Sequence, residues 1–130
     1  MFLNVLDMDE KRAFAELAKR MVEADGIVIG REAASLAALN AEMGNAEIDD
    51  SDRSVAELAG VFKSNRTKTA ALLELVGLGY SDTNFNVGEK SLVTTIAHEM
   101  GLGAEEVAQI EGWVKEHVDL VRRALVLMRD

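Results

Sequence analysis

Two pairs of carboxylates set the chemistry open to this chain. Asp25 precedes Glu32 by seven residues, and Asp82 precedes Glu89 by the same seven. Each pair brackets a short loop and the start of a helix. At that spacing two carboxylates can converge on one hard cation, with backbone carbonyls and water completing its oxygen shell. The second loop adds amide oxygens, since Asp82, Asn84 and Asn86 form a D-x-N-x-N opening before Glu89. Mixed carboxylate, amide and carbonyl oxygens suit the flexible coordination of calcium better than the strict octahedron of magnesium. The loop is not an EF-hand, because Val87 stands at its glycine position and Val93 at its closing glutamate. In the first loop Ile27 and Ile29 replace the two asparagines. The candidate metal ligands are therefore Asp25, Glu32, Asp82, Asn84, Asn86 and Glu89. The same residues also suit a purely structural role. Asp25-Gly26 is a turn after a helix, with Gly26 taking the left-handed conformation, and a Glu in a first helical turn is favoured by the macrodipole and by capping.

Other chemistry-bearing residues are few. Glu47, Asp49, Asp50 and Asp52 form a second acidic cluster, suited to a cation or a basic partner and equally to a solvated loop before a helix. His98 and His117 each lack a Glu three residues earlier, which excludes the Glu-x-x-His pairs of di-iron bundles. Both are expected to face solvent or its boundary. Trp113 is expected in the core with its indole N–H near the surface. The glycines mark helix ends and form neither a phosphate loop nor a nucleophile elbow. Nothing in the pattern is catalytic, so the chain is expected not to be an enzyme.

Composition narrows the partners. The formal charge is −9 over 130 residues and the pI is near 4.7, so nucleic acid is repelled, while divalent cations and basic protein surfaces are attracted. There is no cysteine, which removes disulfides and thiolate metal sites and fits a reducing, cytoplasmic setting. The apolar opening Met1-Phe2-Leu3-Asn4-Val5-Leu6 has no basic flank and is not expected to be a signal peptide. No apolar run approaches the roughly 18–20 residues of a membrane span; peripheral membrane association stays open.

The elements that must position these residues read as helices throughout. Proline is absent, and apolar residues recur at helical spacing in six segments: about 8–24, 31–43, 52–63, 66–78, 88–100 and 104–129. Asp50 or Ser51 is placed to cap the third, and Asn86 with Glu89 has capping-box spacing before the fifth. The inward positions are Phe14, Leu17 and Met21, then Leu36 and Leu39, Leu58 and Phe62, Leu73 and Val76, Val93 and Ile96, and Ile110, Val114 and Val118. The last helix is longer than the others, so Val121, Leu125, Leu127 and Met128 overhang the bundle. Either Phe2, Leu3, Val5 and Leu6 cover them, or they form a dimer seam.

Residues 25–44 and 82–101 align without gaps at an offset of 57. Asp25 falls on Asp82, Glu32 on Glu89, Leu36 on Val93, Leu39 on Ile96, and Glu42-Met43-Gly44 on Glu99-Met100-Gly101. The register indicates one duplicated helix–acidic loop–helix unit, 8–44 and 65–101. A single all-α domain over 1–130, with six or seven helices, is expected.

The stretch Glu23-Ala24-Asp25-Gly26-Ile27-Val28-Ile29-Gly30-Arg31-Glu32, its second copy from Ser81 to Lys90, and the Met100-Gly101-Leu102 after the fifth helix resemble the TerB family. These are tellurite-resistance-associated proteins related to the N-terminal domain of the DjlA co-chaperone. The resemblance implies a duplicated helical bundle with an acidic, cation-interacting face and a place in a tellurite or stress response. By position it carries over Asp25, Glu32, Asp82 and Glu89. The family's Asp-Gly is kept at Asp25-Gly26, but Asp82 is followed by Thr83, a departure from the pattern at the second site. The alternative function is a metal-free adaptor or co-chaperone-like domain that binds a protein partner or a second copy of itself.

Overall fold

The structure, a computed structural model, describes residues 2–22, 53–80 and 87–129. They form a 3-10 turn over Leu3–Val5 and five α-helices: α1 Met8–Val22, α2 Val55–Ala59, α3 Asn65–Gly79, α4 Val87–Glu99 and α5 Ala104–Leu127. No strand occurs among the described residues, and the all-α expectation holds. The helix expected over 31–43, with Leu36 and Leu39, lies outside them.

Side-chain capping starts three of the helices. At α1 the Glu10 amide donates to Asp7 Oδ1 at 2.9 Å while the Asp7 amide donates to Glu10 Oε1 at 3.0 Å. Ser54 and Glu57 make the same reciprocal pair at α2, and Ser64 and Thr67 at α3. Each pair satisfies two amides that the first turn leaves without a helical partner. The capping box at Ser54 corrects the expected third helix. It begins at Val55 rather than near residue 52, is capped by Ser54 rather than Asp50 or Ser51, and ends at Ala59. Phe62 lies past its end yet is still buried. At the other end of α4, Gly101 has φ +77°, the left-handed region that favours glycine. Leu102 and Gly101 amides there donate to the carbonyls of Ala97 and His98 at 2.9 and 3.0 Å, closing the helix end.

The core is built round α3. This helix is apolar on nearly every side, with Ala70, Ala71, Leu72, Leu75, Val76 and Leu78 all buried, as a helix surrounded by others must be. It packs against α1, α4, α5 and the 3-10 turn, while α1 also meets α2 and α4, and α2 packs on α4. Phe14, Leu17, Met21, Leu58, Phe62, Val76, Val93, Ile96, Ile110 and Val114 are buried as expected. Leu73 and Val118 are only partly buried against the core. On α3 the neighbouring Leu72 and Leu75 take the inward positions instead.

α1 and α3 share a register. They begin 57 positions apart, as do their caps Asp7 and Ser64 and the capping partners Glu10 and Thr67. Ala13 and Ala70, Ala15 and Leu72, Ala18 and Leu75, and Met21 and Leu78 are buried at the same offset. α5 outruns the core. With 24 residues it is about 36 Å long, and only the part up to Val118 reaches the core. Ile110 and Val114 are its buried residues, and everything from Asp119 to Arg129 is exposed.

Candidate functional site

Of the six candidate ligands, Asp25, Glu32, Asp82, Asn84 and Asn86 lie outside the described residues, as does the cluster Glu47, Asp49, Asp50 and Asp52. Glu89 lies inside them. It stands in the first turn of α4, where its sequence position put it, and it is 2% exposed. It is engaged there rather than free. A carboxylate is thus held, withdrawn from bulk water, directly after the oxygen-rich loop sequence. Among the described residues no three His, Asp or Glu side chains gather as a metal-holding group.

Two other buried carboxylates escaped sequence reasoning. Glu10 is 2% exposed; besides capping α1, its Oε2 accepts from the Lys63 amide at 3.0 Å, tying the start of α1 to the loop before α3. Lys63 Nζ in turn pairs with Asp7. Glu16 is buried and faces Arg53 at 3.3 Å and Arg20 at 3.8 Å, and Arg20 also donates to the Arg53 carbonyl. Both carboxylates have partners that satisfy them, and they tie α1 to the segments that lead into α2 and α3. The signal for the first was present, because Asp7-Met8-Asp9-Glu10 spells a capping box. Glu16 and Arg20 have i,i+4 pairing spacing, but nothing local in sequence shows Arg53 arriving.

Surface depressions offer little chemistry. One is lined by Lys90, Ser91, Thr94 and Thr95, but the Thr94 and Thr95 hydroxyls donate to the carbonyls of Lys90 and Ser91 in their own helix. Another lies between the N-terminal turn and α3, beside Phe2, Val5, Arg66 and Leu73.

The most distinctive surface is the end of α5. Leu120, Val121, Leu125, Val126, Leu127 and Met128 are all exposed, Leu125 by 58% and Leu127 by 85%. The N-terminal residues do not cover them. Leu3 and Leu6 are buried in the core, and Phe2 instead meets Trp113 edge to face at 5.5 Å. Trp113 was expected in the core but is 42% exposed. It lies on the flank of α5 one residue short of Val114, stacked on His117 at 5.2 Å. His117 is half-buried and His98 exposed, as expected. No helix among the described residues is long and apolar enough to cross a membrane.

No family model matches this chain, and neither does any curated protein or any solved structure.

Proposed function

We propose that this chain is a non-enzymatic helical module that works by holding another protein, and that the C-terminal half of α5 does the holding. The observation that carries the reading is the row of large apolar side chains left in water there. Full burial of one Val, Leu or Met side chain is worth roughly 1.5–3 kcal/mol, so a run of them on a well-formed helix is a binding surface. The partner it suits presents an apolar helix or groove with charges at its rim. The test compares proteins captured by the tagged full chain and by its Leu125→Asp variant. Capture that ignores the substitution sinks the reading.

A second reading, favoured by the burial of Glu89 three positions after the Asp82, Asn84, Asn86 sequence, is that the acidic loops bind a divalent cation, calcium in preference to magnesium. The resemblance to TerB proteins supports it and brings with it a role in tellurite or stress response. The matched register of α1 and α3 supports the duplicated unit on which both depend, completed as a six- or seven-helix bundle. An ion bound only by the folded state raises the melting temperature with dose. Wild type should therefore gain stability in millimolar calcium, and Asp25→Asn/Asp82→Asn should not. Equal gains in both would leave the acids as helix-boundary residues.

A further inference from the structure

The exposed half of α5 has an occupant that the chain itself can supply. We infer that two copies of this protein pair through it, antiparallel, with the twofold axis near Leu120 and Val121. This rests on the reading of α5 as the docking element and names its partner.

The apolar stripe is wider than one core requires. A helix turns about 100° per residue. Over the exposed half, Val118, Val121, Leu125 and Met128 continue the core-facing stripe, while Leu120 and Leu127 extend it sideways. Together they cover about half the circumference, where a helix lying on one core needs a stripe of about 100°. The surplus faces a second body.

Charge order sets the direction. Upstream of the axis α5 carries Glu111, Glu116 and Asp119, with Lys115 the exception; downstream stand Arg122, Arg123 and, past the helix end, Arg129, with Asp130 the exception, and Arg122 also pairs with Asp119 of its own helix at 3.7 Å. A parallel partner sets like charges side by side. An antiparallel one sets the basic end of each copy against the acidic stretch of the other, Arg129 beside Glu111. Twofold symmetry then makes each favourable contact twice.

The ends of the contact agree. With the axis there, Met128 of each copy comes level with Trp113 of the other, an exposed thioether meeting a half-exposed ring. The two bodies lie toward opposite ends of the paired helices, and the end of each helix runs along the Trp113 flank of the other, because Val114 faces its own core.

Size sets the strength. The stretch from 113 to 129 is about 25 Å long. Half the girth of a rod about 10 Å across, over that length, is at most on the order of 400 Å² a side, less where Val114 and Val118 already face their own core, and below the roughly 600–1,000 Å² a side of stable complexes. The dimer is therefore weak and forms only as concentration rises.

Sedimentation velocity on the full chain, from low micromolar to near-millimolar protein, should show monomer giving way to dimer. Leu125→Asp alters an exposed position, so the dilute variant should melt where the dilute wild type does and stay monomeric throughout. Orientation is read by disulfides, in a chain with no cysteine of its own. Trp113→Cys mixed with Met128→Cys should cross-link. Met128→Cys alone should not, because in the antiparallel pair its two copies stand more than about 20 Å apart. A monomer at every concentration overturns the inference, and so does a dimer that survives Leu125→Asp. Self-linking by Met128→Cys overturns the antiparallel order. If the chain floats with zwitterionic vesicles instead of pairing, the occupant is a lipid surface and the inference falls. Should wild type stay monomeric while its captured proteins still depend on Leu125, only the second copy is the wrong partner; if capture is also indifferent, the docking reading falls with it.

Discussion

Both oxygens of the Glu10 side chain accept from backbone amides, Oε1 from Asp7 and Oε2 from Lys63, each at 3.0 Å. A glutamine of the same shape would turn its NH2 toward one of those N–H groups. Glu10→Gln is therefore expected to cost roughly 0.5–1.5 kcal/mol despite being isosteric, the net worth of a hydrogen bond lost from a part-buried donor. Urea unfolding measures it, and a loss below about half a kcal/mol would show that the two bonds are not both made. The neighbouring ion pair behaves differently because it is open to water. The hydrogen bond from Lys63 holds the Asp7 carboxyl below the usual carboxylate range, and Asp7 holds the Lys63 ammonium above the usual lysine range. The contribution of Asp7 is complete above an ordinary carboxylate pKa and is lost as pH falls through its lowered value. That of Lys63 is complete below an ordinary lysine pKa and is lost as pH rises through its raised value. The pair is thus intact across neutral pH. The melting-temperature gap between wild type and Lys63→Met should close on acidification and shrink with added salt. A gap indifferent to both would show that the ion pair is not its source.

At the scale of the helices, two glycines have opposite roles. Gly101 holds a left-handed backbone at the end of α4, so Gly101→Ala should destabilise by about 1–2 kcal/mol. Gly112 lies inside α5, and a methyl added there meets nothing within 4 Å. Gly112→Ala should therefore stabilise by about 0.5–1 kcal/mol. Thermal melts of the two variants moving in the same direction would mean that one backbone is misassigned. On α4, Ile96 is fully buried, and Ile96→Ala should cost roughly 2–5 kcal/mol from lost burial and the cavity left behind, read by chemical denaturation. The starts of α1 and α4 and the length of α5 were legible in sequence, because helical periodicity and capping chemistry are local. What periodicity does not carry is which of several adjacent apolar positions wins. Leu72, Leu73, Leu75 and Val76 all suit α3, and the bodies on its several sides choose all but Leu73. For α2 the apolar spacing continued beyond the helix. Ser54 and Glu57 set its true start, and Phe62 reaches the core from a turn.

Across the whole molecule, the apolar pattern of α5 runs unbroken from Val107 to Met128, yet burial stops at Val114, apart from the half-buried Val118. A sequence shows that a face is apolar, and it showed that this one overhangs. It does not show whether anything lies opposite. Of the six candidate site residues only Glu89 lies among the described ones. Glu89 sits in the helical turn its spacing demanded, and Glu10 stood in a capping box that the sequence spells, while the burial of Glu16 was hidden because a charged residue reads as surface until its distant partner arrives. The uneven support along α5 should be visible in hydrogen exchange of the dilute chain, with amides around Ile110 and Val114 protected well beyond those from Leu120 to Leu127. Uniform protection along the helix would mean that the far half is already covered. The only tryptophan in the chain stands where the two halves meet, in ring contact with Phe2 on one side and His117 on the other. Its indole, 42% exposed, is a built-in optical probe. Any body that settles on the far half of α5 and reaches the root of the overhang dries that ring, so its emission should move to shorter wavelength and iodide should quench it less. The colour of one residue's light thus reports when the overhang is occupied, in the unlabelled protein.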